Sequence, residues 1–244
     1  MKEVRLSQEH QTILEWLTPI DYAPQQHDFI NRRQPGTGQW LLDSQGFKTW
    51  LKASKKTLFC QGYPGAGKTF LTSIVIEYLQ TVDWQIDSSQ NSSIQDDKIG
   101  IAFIYYDFIK RDRQKPVDIL ASLIKQLIQH QPHVPEVIKA LYEKYKNIPP
   151  SSCSNTDIRY FSETLQHVIS GNYTRVFIVV DALDECQHAK AFLSEIFTLQ
   201  STTGANIFAT SGPKKDIQEE FARSLLLDIH ARDEDVKNYI DGVC

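Results

Sequence analysis

Residues 62–69 of the chain read Gly62, Tyr63, Pro64, Gly65, Ala66, Gly67, Lys68 and Thr69. The spacing G-x-x-x-x-G-K-[ST] is that of a loop built to hold a polyphosphate. Successive backbone N–H groups of a glycine-rich turn converge on phosphate oxygens where no Cβ intervenes, and a following helix adds the positive end of its dipole. Lys68 then supplies a point charge for the β- and γ-phosphates of ATP, and the Thr69 hydroxyl supplies an oxygen for Mg²⁺. A second acidic stretch, Arg175 to Glu185 with the core Val176, Phe177, Ile178, Val179, Val180 and Asp181, is an unbroken apolar run that ends in a carboxylate. Such a run describes a buried strand delivering its acid to the edge of a sheet where ligands bind, so Asp181 is the expected Mg²⁺ partner. Asp184 and Glu185, one short turn on, are placed to orient or deprotonate an attacking water; the alternative is a solvated helix start, where acids are favourable in any case. Thr210 and Ser211 close a third apolar run, and two readings stay open for them: contact with the γ-phosphate or a water, or bonding to nearby backbone.

These residues need a scaffold, and the hydropathy pattern supplies one. Short apolar runs at 57–61, 100–107, 175–180, 205–210 and 225–229 are expected strands. Between them Phe70, Leu71, Ile74, Val75, Tyr78 and Leu79 repeat at helical spacing, as do Leu120, Leu123, Ile124, Leu127 and Ile128. Two further stretches repeat likewise: Ile158, Phe161, Leu165, Val168 and Ile169, then Phe192, Leu193, Ile196 and Phe197. The alternation predicts a three-layer α/β fold with a five-stranded, mainly parallel sheet. Ahead of it, residues 4–18 form an amphipathic helix stopped by Pro19, residues 20–39 are expected to be mostly irregular, and one helix is expected from Trp40 to Leu51. Residues 83–97 and 147–155 are expected loops. Trp40 and Trp50 are expected to pack their helix against the domain.

Composition sets the outer bounds. The 244 residues carry 26 Lys+Arg against 30 Asp+Glu, a net charge of -4, which gives no global attraction to nucleic acid or anionic lipid. No stretch approaches the roughly 18 unbroken apolar residues of a membrane helix. Cys60, Cys153, Cys186 and Cys244 lie far apart with no C-x-x-C pair, and the N-terminus lacks an apolar signal segment. The expectation is a cytoplasmic protein with reduced thiols, no membrane and no nucleic-acid partner.

The three motifs taken in order, residues 62–69, 176–185 and 206–213, resemble the NACHT branch of the STAND signal-transduction NTPases. The D-A-L-D-E form of residues 181–185 is the specific part, and residues 35–51 resemble the start of the nephrocystin-3-like N-terminal domains of fungal NACHT proteins that carry ankyrin or WD repeats. The resemblance spans about residues 10–240 and implies a P-loop NTPase fold with an N-terminal helical segment. It implies phosphate contacts from Gly65, Gly67 and Lys68, and Mg²⁺ contacts from Thr69 and Asp181; the other loop residues Gly62, Pro64, Ala66 and Thr69, with Thr210 and Ser211 at the end of the third run, complete the set expected around ATP/ADP. It also implies a hydrolytic role for Asp184 or Glu185, and an adenine-side role for residues 36–38. The organisation it implies is an N-terminal helix and linker over 1–26, the NTPase domain over 27–230, and from 231 to 244 the start of a helical region beyond the core.

Two departures stand out. Where the family usually carries an arginine that senses the γ-phosphate, this chain has Gly212, which has no charge to offer. Arg111 and Arg113, in a basic segment at 110–115, are expected to be a solvated cluster rather than a replacement. The chain also stops at Cys244, short of the helical, winged-helix and repeat regions of the family, so it is expected to be a fragment or a product without those parts. The function implied is a nucleotide-dependent signalling switch with slow ATP hydrolysis and self-association, or association with partner proteins through regions outside this chain. The alternative is a nucleotide-holding scaffold without turnover. A small-molecule kinase is disfavoured by the lack of an acceptor-site signature.

Overall fold

In the computed structural model the described residues are 7–84, 98–107, 114–154 and 157–232, with Asp235 and Lys237 beyond them. The five strands are β1 (Thr57–Gln61), β2 (Ile99–Tyr105), β3 (Arg175–Asp181), β4 (Asn206–Ser211) and β5 (Leu225–Asp228). They lie in the order β2-β3-β4-β1-β5, and every pairing is parallel. The predicted α/β sheet is therefore present, with strand limits within a residue or two of those expected. β4 lies between β1 and β3, so the phosphate-loop strand and the Asp181 strand both border it.

Buried side chains on both faces of the sheet explain why β1, β3 and β4 read as continuous apolar runs. On one face α4 (Gln45–Lys52) and α5 (Lys68–Thr81) pack; the fully buried Trp50 sets its ring 5.2 Å from Phe177 and 5.9 Å from Phe208 and donates its indole N–H to the Ile207 carbonyl at 2.8 Å. On the other, α9 (Ala189–Thr203) and α10 (Lys215–Glu220) cover the sheet through Phe221, which stacks on Phe59 at 4.2 Å. The packing expectation for Trp50 holds.

The segment before the sheet departs from expectation. The first helix, α1 (Gln8–Leu17), is as predicted within the described residues, with Ile13, Leu14 and Leu17 buried. Residues 20–39, however, contain a helix, α2 (Ala23–Asn31), and the stretch from Trp40 to Leu51 is two helices, α3 (Gln39–Asp43) and α4, rather than one. The α2 helix is hidden in the sequence because its buried anchor is polar: Gln26 donates to the Ser73 carbonyl at 3.0 Å and accepts from the Tyr105 hydroxyl. The break at Ser44 is a helix start, with the Ser44 hydroxyl accepting from the Phe47 N–H at 3.1 Å.

Beside β2 lies α6 (Pro116–Ile128), on which α8 (Ile158–Asn172) packs, and α7 (Glu136–Tyr145) packs on α8. The α7 helix is not among the sequence expectations, although Ile138, Leu141 and Tyr145 carry the spacing. Residues 147–154 include a short 3-10 turn, Pro150–Ser152. Residues 1–6, of which 4–6 belong to the first predicted helix, 85–97 and 155 of the predicted loops, Arg111 and Arg113, Cys244 and most of 233–244 fall outside the described residues.

Candidate functional site

The loop at residues 62–67 leaves β1 and enters α5 at Lys68. Gly65 and Gly67 have φ of +82° and +87°, the left-handed region that side chains other than glycine rarely adopt. A Cβ added at either would meet no atom within 4 Å apart from the chain neighbours, so both positions face open space. The Lys68 ammonium folds back onto the loop itself, 2.9 Å from the Gly62 carbonyl and 3.2 Å from that of Tyr63. Pro64 and Gly65 are exposed, and Ala66 is half-buried at the foot of α5.

Asp181, at the end of β3, is 2% exposed and takes hydrogen bonds from three hydroxyls. Thr69 donates to one carboxylate oxygen at 2.8 Å; Thr72 and Thr210 donate to the other at 2.8 and 2.6 Å. Thr210 also accepts from the Ala182 N–H at 3.0 Å, which ties the tip of β4 to that of β3. Thr72, one helical turn after Lys68, is a site residue that the loop motif does not include. Its only sequence signal is a hydroxyl three residues beyond Thr69 on the same face of α5. Thr69 and Asp181 present two hard oxygen ligands side by side, and Mg²⁺ is usually held by one or two such groups together with substrate phosphates, so the residues present fit that ion.

Burial pushes the Asp181 carboxyl above its ordinary value of 3.8, against the opposing pull of the three hydroxyls and Lys68. Folded Asp181 thus binds its proton more tightly than the unfolded chain does. The resulting cost to stability is absent below the unfolded value, grows as pH rises through the interval up to the folded value, and is constant above it. Asp181→Asn removes the charge and keeps the shape. The melting temperature of the Asn variant relative to wild type is expected to rise as pH increases above the ordinary carboxyl value of 3.8, while its Mg²⁺-dependent affinity for ATP falls. Parallel melting curves across that range, with nucleotide titrations at neutral pH, check both halves.

Beyond Asp181 the chain turns sharply. Ala182 sits at φ 55°, ψ 49°, a left-handed conformation that costs an L-residue about 1–2 kcal/mol. This turn starts the 3-10 segment Leu183–Glu185. Asp184 bends back across β4, accepting the Gly212 N–H at 2.7 Å, while Lys214 donates to the Asp184 carbonyl. A Cβ at position 212 would lie 2.6 Å from the Asp184 carboxylate, so the glycine there makes room for the acid. Of the two candidate acids, Asp184 is therefore engaged with backbone, and Glu185 follows it at the end of the turn. Ser211 is also turned to backbone: fully buried, its hydroxyl donates to the Gly212 carbonyl at 2.9 Å. Thr210 reaches the Asp181 cluster and Ser211 does not. Ala182→Gly is expected to relieve the turn, with a gain of up to about 1 kcal/mol left after the extra unfolded-state entropy of glycine; chemical denaturation measures it.

Next to the loop, residues 33–40 and the chain after β5 enclose a cavity of about 200 Å³ whose walls include Arg33, Thr37, Trp40, Phe70, His230 and Arg232 together with residues 65–67. Asp235 fastens its two sides, accepting the Gly38 N–H at 3.2 Å and the Trp40 indole N–H at 3.1 Å, and the Arg232 guanidinium lies 4.2 Å from the Trp40 ring centre. Gly38 has φ +75°, and a Cβ there would lie 2.5 Å from Ile74, so only glycine lets this segment rest on α5. Trp40 is thus more than a packing residue: half-buried, it walls the cavity. Arg232 and Asp235 are site residues that the sequence motifs do not contain. The Thr37 hydroxyl, buried against this cavity, has no hydrogen-bond partner among the described residues.

Similarity to known proteins agrees with this architecture. Among solved structures the chain is similar to the Aeropyrum pernix ORC1 protein in complex with DNA, with a TM-score of 0.53 at 14% identity over 94% of this chain and 53% of that one. Lower similarity extends to the Drosophila ORC bound to DNA, with a TM-score of 0.40 at 17% identity over 99% of this chain and 52% of that one. It extends also to C. elegans PCH-2, with a TM-score of 0.38 at 14% identity over 91% and 47%. The chain spans about half the length of these structures. No curated protein matches it by sequence. The first likeness shows the fold, that of P-loop NTPases. The family described as Nephrocystin 3, N-terminal, matches residues 36–212, from the segment that walls the cavity to the glycine that receives Asp184. With well over half of its length matched, the chain belongs to that family.

Proposed function

We propose that the chain is the ATP-binding core of a signal-transduction NTPase of the NACHT type, a nucleotide-dependent switch with slow hydrolysis that acts through self-association. The observation that carries this reading is the meeting of Thr69 and Asp181 at 2.8 Å beside an open glycine loop. In this reading residues 27–230 form the nucleotide-binding unit. The loop N–H groups hold the phosphates, and Lys68 leaves the Gly62 and Tyr63 carbonyls to reach the β- and γ-phosphates. Bound Mg²⁺ would be held by Thr69 and Asp181 and would neutralise phosphate charge. Thr72 and Thr210 keep the Asp181 carboxylate turned toward Thr69, and the base lies in the cavity walled by Trp40. Asp184 or Glu185 orients the attacking water, and Asp184 also accepts the Gly212 N–H.

A second reading, a scaffold that holds nucleotide without turnover, is favoured by one observation. The Asp184 carboxylate occupies the space next to position 212, where a charge-stabilising arginine would otherwise start. Phosphate release from radiolabelled ATP separates the two. Turnover by wild type above that of Lys68→Ala, lost about a hundredfold in Asp184→Asn or in Glu185→Gln, supports the switch; turnover equal to that of Lys68→Ala leaves the scaffold. In the second case Gly212→Arg is expected to gain activity as the guanidinium displaces Asp184. The DNA of the similar structures is not carried over, since a net charge of -4 offers it no global attraction. Among the described residues no helix is long and apolar enough to cross a membrane.

A further inference from the structure

β2 ends the sheet on one side, and among the described residues its outer edge is closed over only part of its length. Backbone groups two residues apart on a strand face the same way. The even-numbered groups of this stretch face β3: the Thr174 N–H donates to the Lys98 carbonyl at 3.0 Å and the Tyr106 N–H to the Asp181 carbonyl at 3.3 Å. The odd-numbered groups face outward.

Two glutamine side chains satisfy the outward groups further along. Gln126 accepts from the Phe103 N–H at 2.9 Å and donates to its carbonyl at 2.8 Å. Gln114 donates to the Tyr105 carbonyl at 2.8 Å and accepts from the Asp107 N–H at 3.0 Å. A primary amide carries a donor and an acceptor side by side, so each stands in for a peptide group of a neighbouring strand. At Ile99 and Ile101 the substitution stops. Their outward groups have no hydrogen-bond partner among the described residues, and they line a groove of about 880 Å³. An unpaired edge of this kind is a template for another strand.

The charge around the groove selects the partner. Among the described residues that line it, Lys98, Lys125, His130 and His133 stand against one acid, Asp21, with Glu15 also acting on Lys125. Lys125, on the groove wall, donates to the Thr18 carbonyl at 2.8 Å. Pairing with a second copy of the chain would set two such basic groups against each other. We propose that residues 99–101 receive an extended acidic peptide segment as an added strand, its backbone paired to Ile99 and Ile101 and its carboxylates facing Lys98 and Lys125. This site is separate from the phosphate loop and does not depend on nucleotide binding.

The test is fluorescence anisotropy with a labelled seven-residue peptide of alternating Glu and Val. Saturable binding is expected, weakened by about tenfold or more when the backbone amides of the peptide are N-methylated on its pairing side. Replacing Glu by Lys in the peptide, or Lys98→Glu in the protein, is expected to weaken it by a similar factor, about tenfold. Because the N-methylated and Lys peptides are read on the wild-type chain, the outcome does not hang on the folding of a variant. Equal binding of the N-methylated peptide, equal binding of the Lys peptide, or no saturation up to about 1 mM would each overturn the proposal. A dimer of the chain that is lost in Ile101→Pro and unaffected by the peptide would assign the edge to a second copy and overturn it as well.

Discussion

Replacing Lys68 by alanine is expected to lower the affinity for ATP by about a hundredfold while leaving the melting temperature of the nucleotide-free protein nearly unchanged. The two halves of this expectation have separate causes. Without ligand, the ammonium satisfies only the Gly62 and Tyr63 carbonyls at the half-exposed mouth of the loop, and water replaces it there at little cost. With ligand, it is the one cation that the loop motif itself brings to the phosphates, and removing it leaves them to backbone N–H groups and the helix dipole. Titration calorimetry and thermal melting on the same pair of proteins read both. A large drop in melting temperature would show that Lys68 is a structural residue first.

The largest effect on stability is expected at Trp50. Fully buried between Phe47, Phe177 and Phe208, its ring joins α4 to the centre of the sheet, and its N–H is the partner of the Ile207 carbonyl. Trp50→Ala leaves a cavity and an unsatisfied buried carbonyl, a loss of about 4 kcal/mol, equivalent to a melting temperature about 10 °C lower. Trp50→Phe keeps most of the packing and loses the hydrogen bond, so about 1–2 kcal/mol is expected. Urea denaturation of the three proteins checks the ranking. The same helix follows the segment that walls the base-side cavity, so loss of Trp50 is also expected to loosen Trp40 and Gly38.

Most of this scaffold was legible from residue order alone. Strands buried on both faces write their position as unbroken apolar runs, and α5, α6, α8 and α9 write theirs as a repeat of three to four, because in each case burial follows the local period. The loop at 62–69 and Asp181 were legible for a different reason: phosphate binding restricts residue types at fixed spacing within one strand–loop–helix unit. What escaped the sequence was decided by contacts between distant parts of the chain. The α2 helix buries a glutamine whose partners are Ser73 and Tyr105, which no local pattern announces. Asp235 and Trp40 meet across 195 residues, and Gln126 closes the edge of β2 from 23 residues away. The engagement of Asp184 with Gly212 likewise depends on how β3 and β4 end side by side, so two adjacent acids that look equivalent in the sequence differ in the fold.

Nucleotide is expected to bind at the loop between β1 and α5, with its base toward Trp40. Hydrogen exchange followed by mass spectrometry, on the wild-type chain with and without ATP and Mg²⁺, tests it most directly. Slower exchange is expected over residues 62–71 and over 33–40, with weaker protection when Mg²⁺ is chelated and none in Lys68→Ala. Unchanged exchange in both segments at millimolar ATP, or protection confined to other parts of the chain, would contradict it.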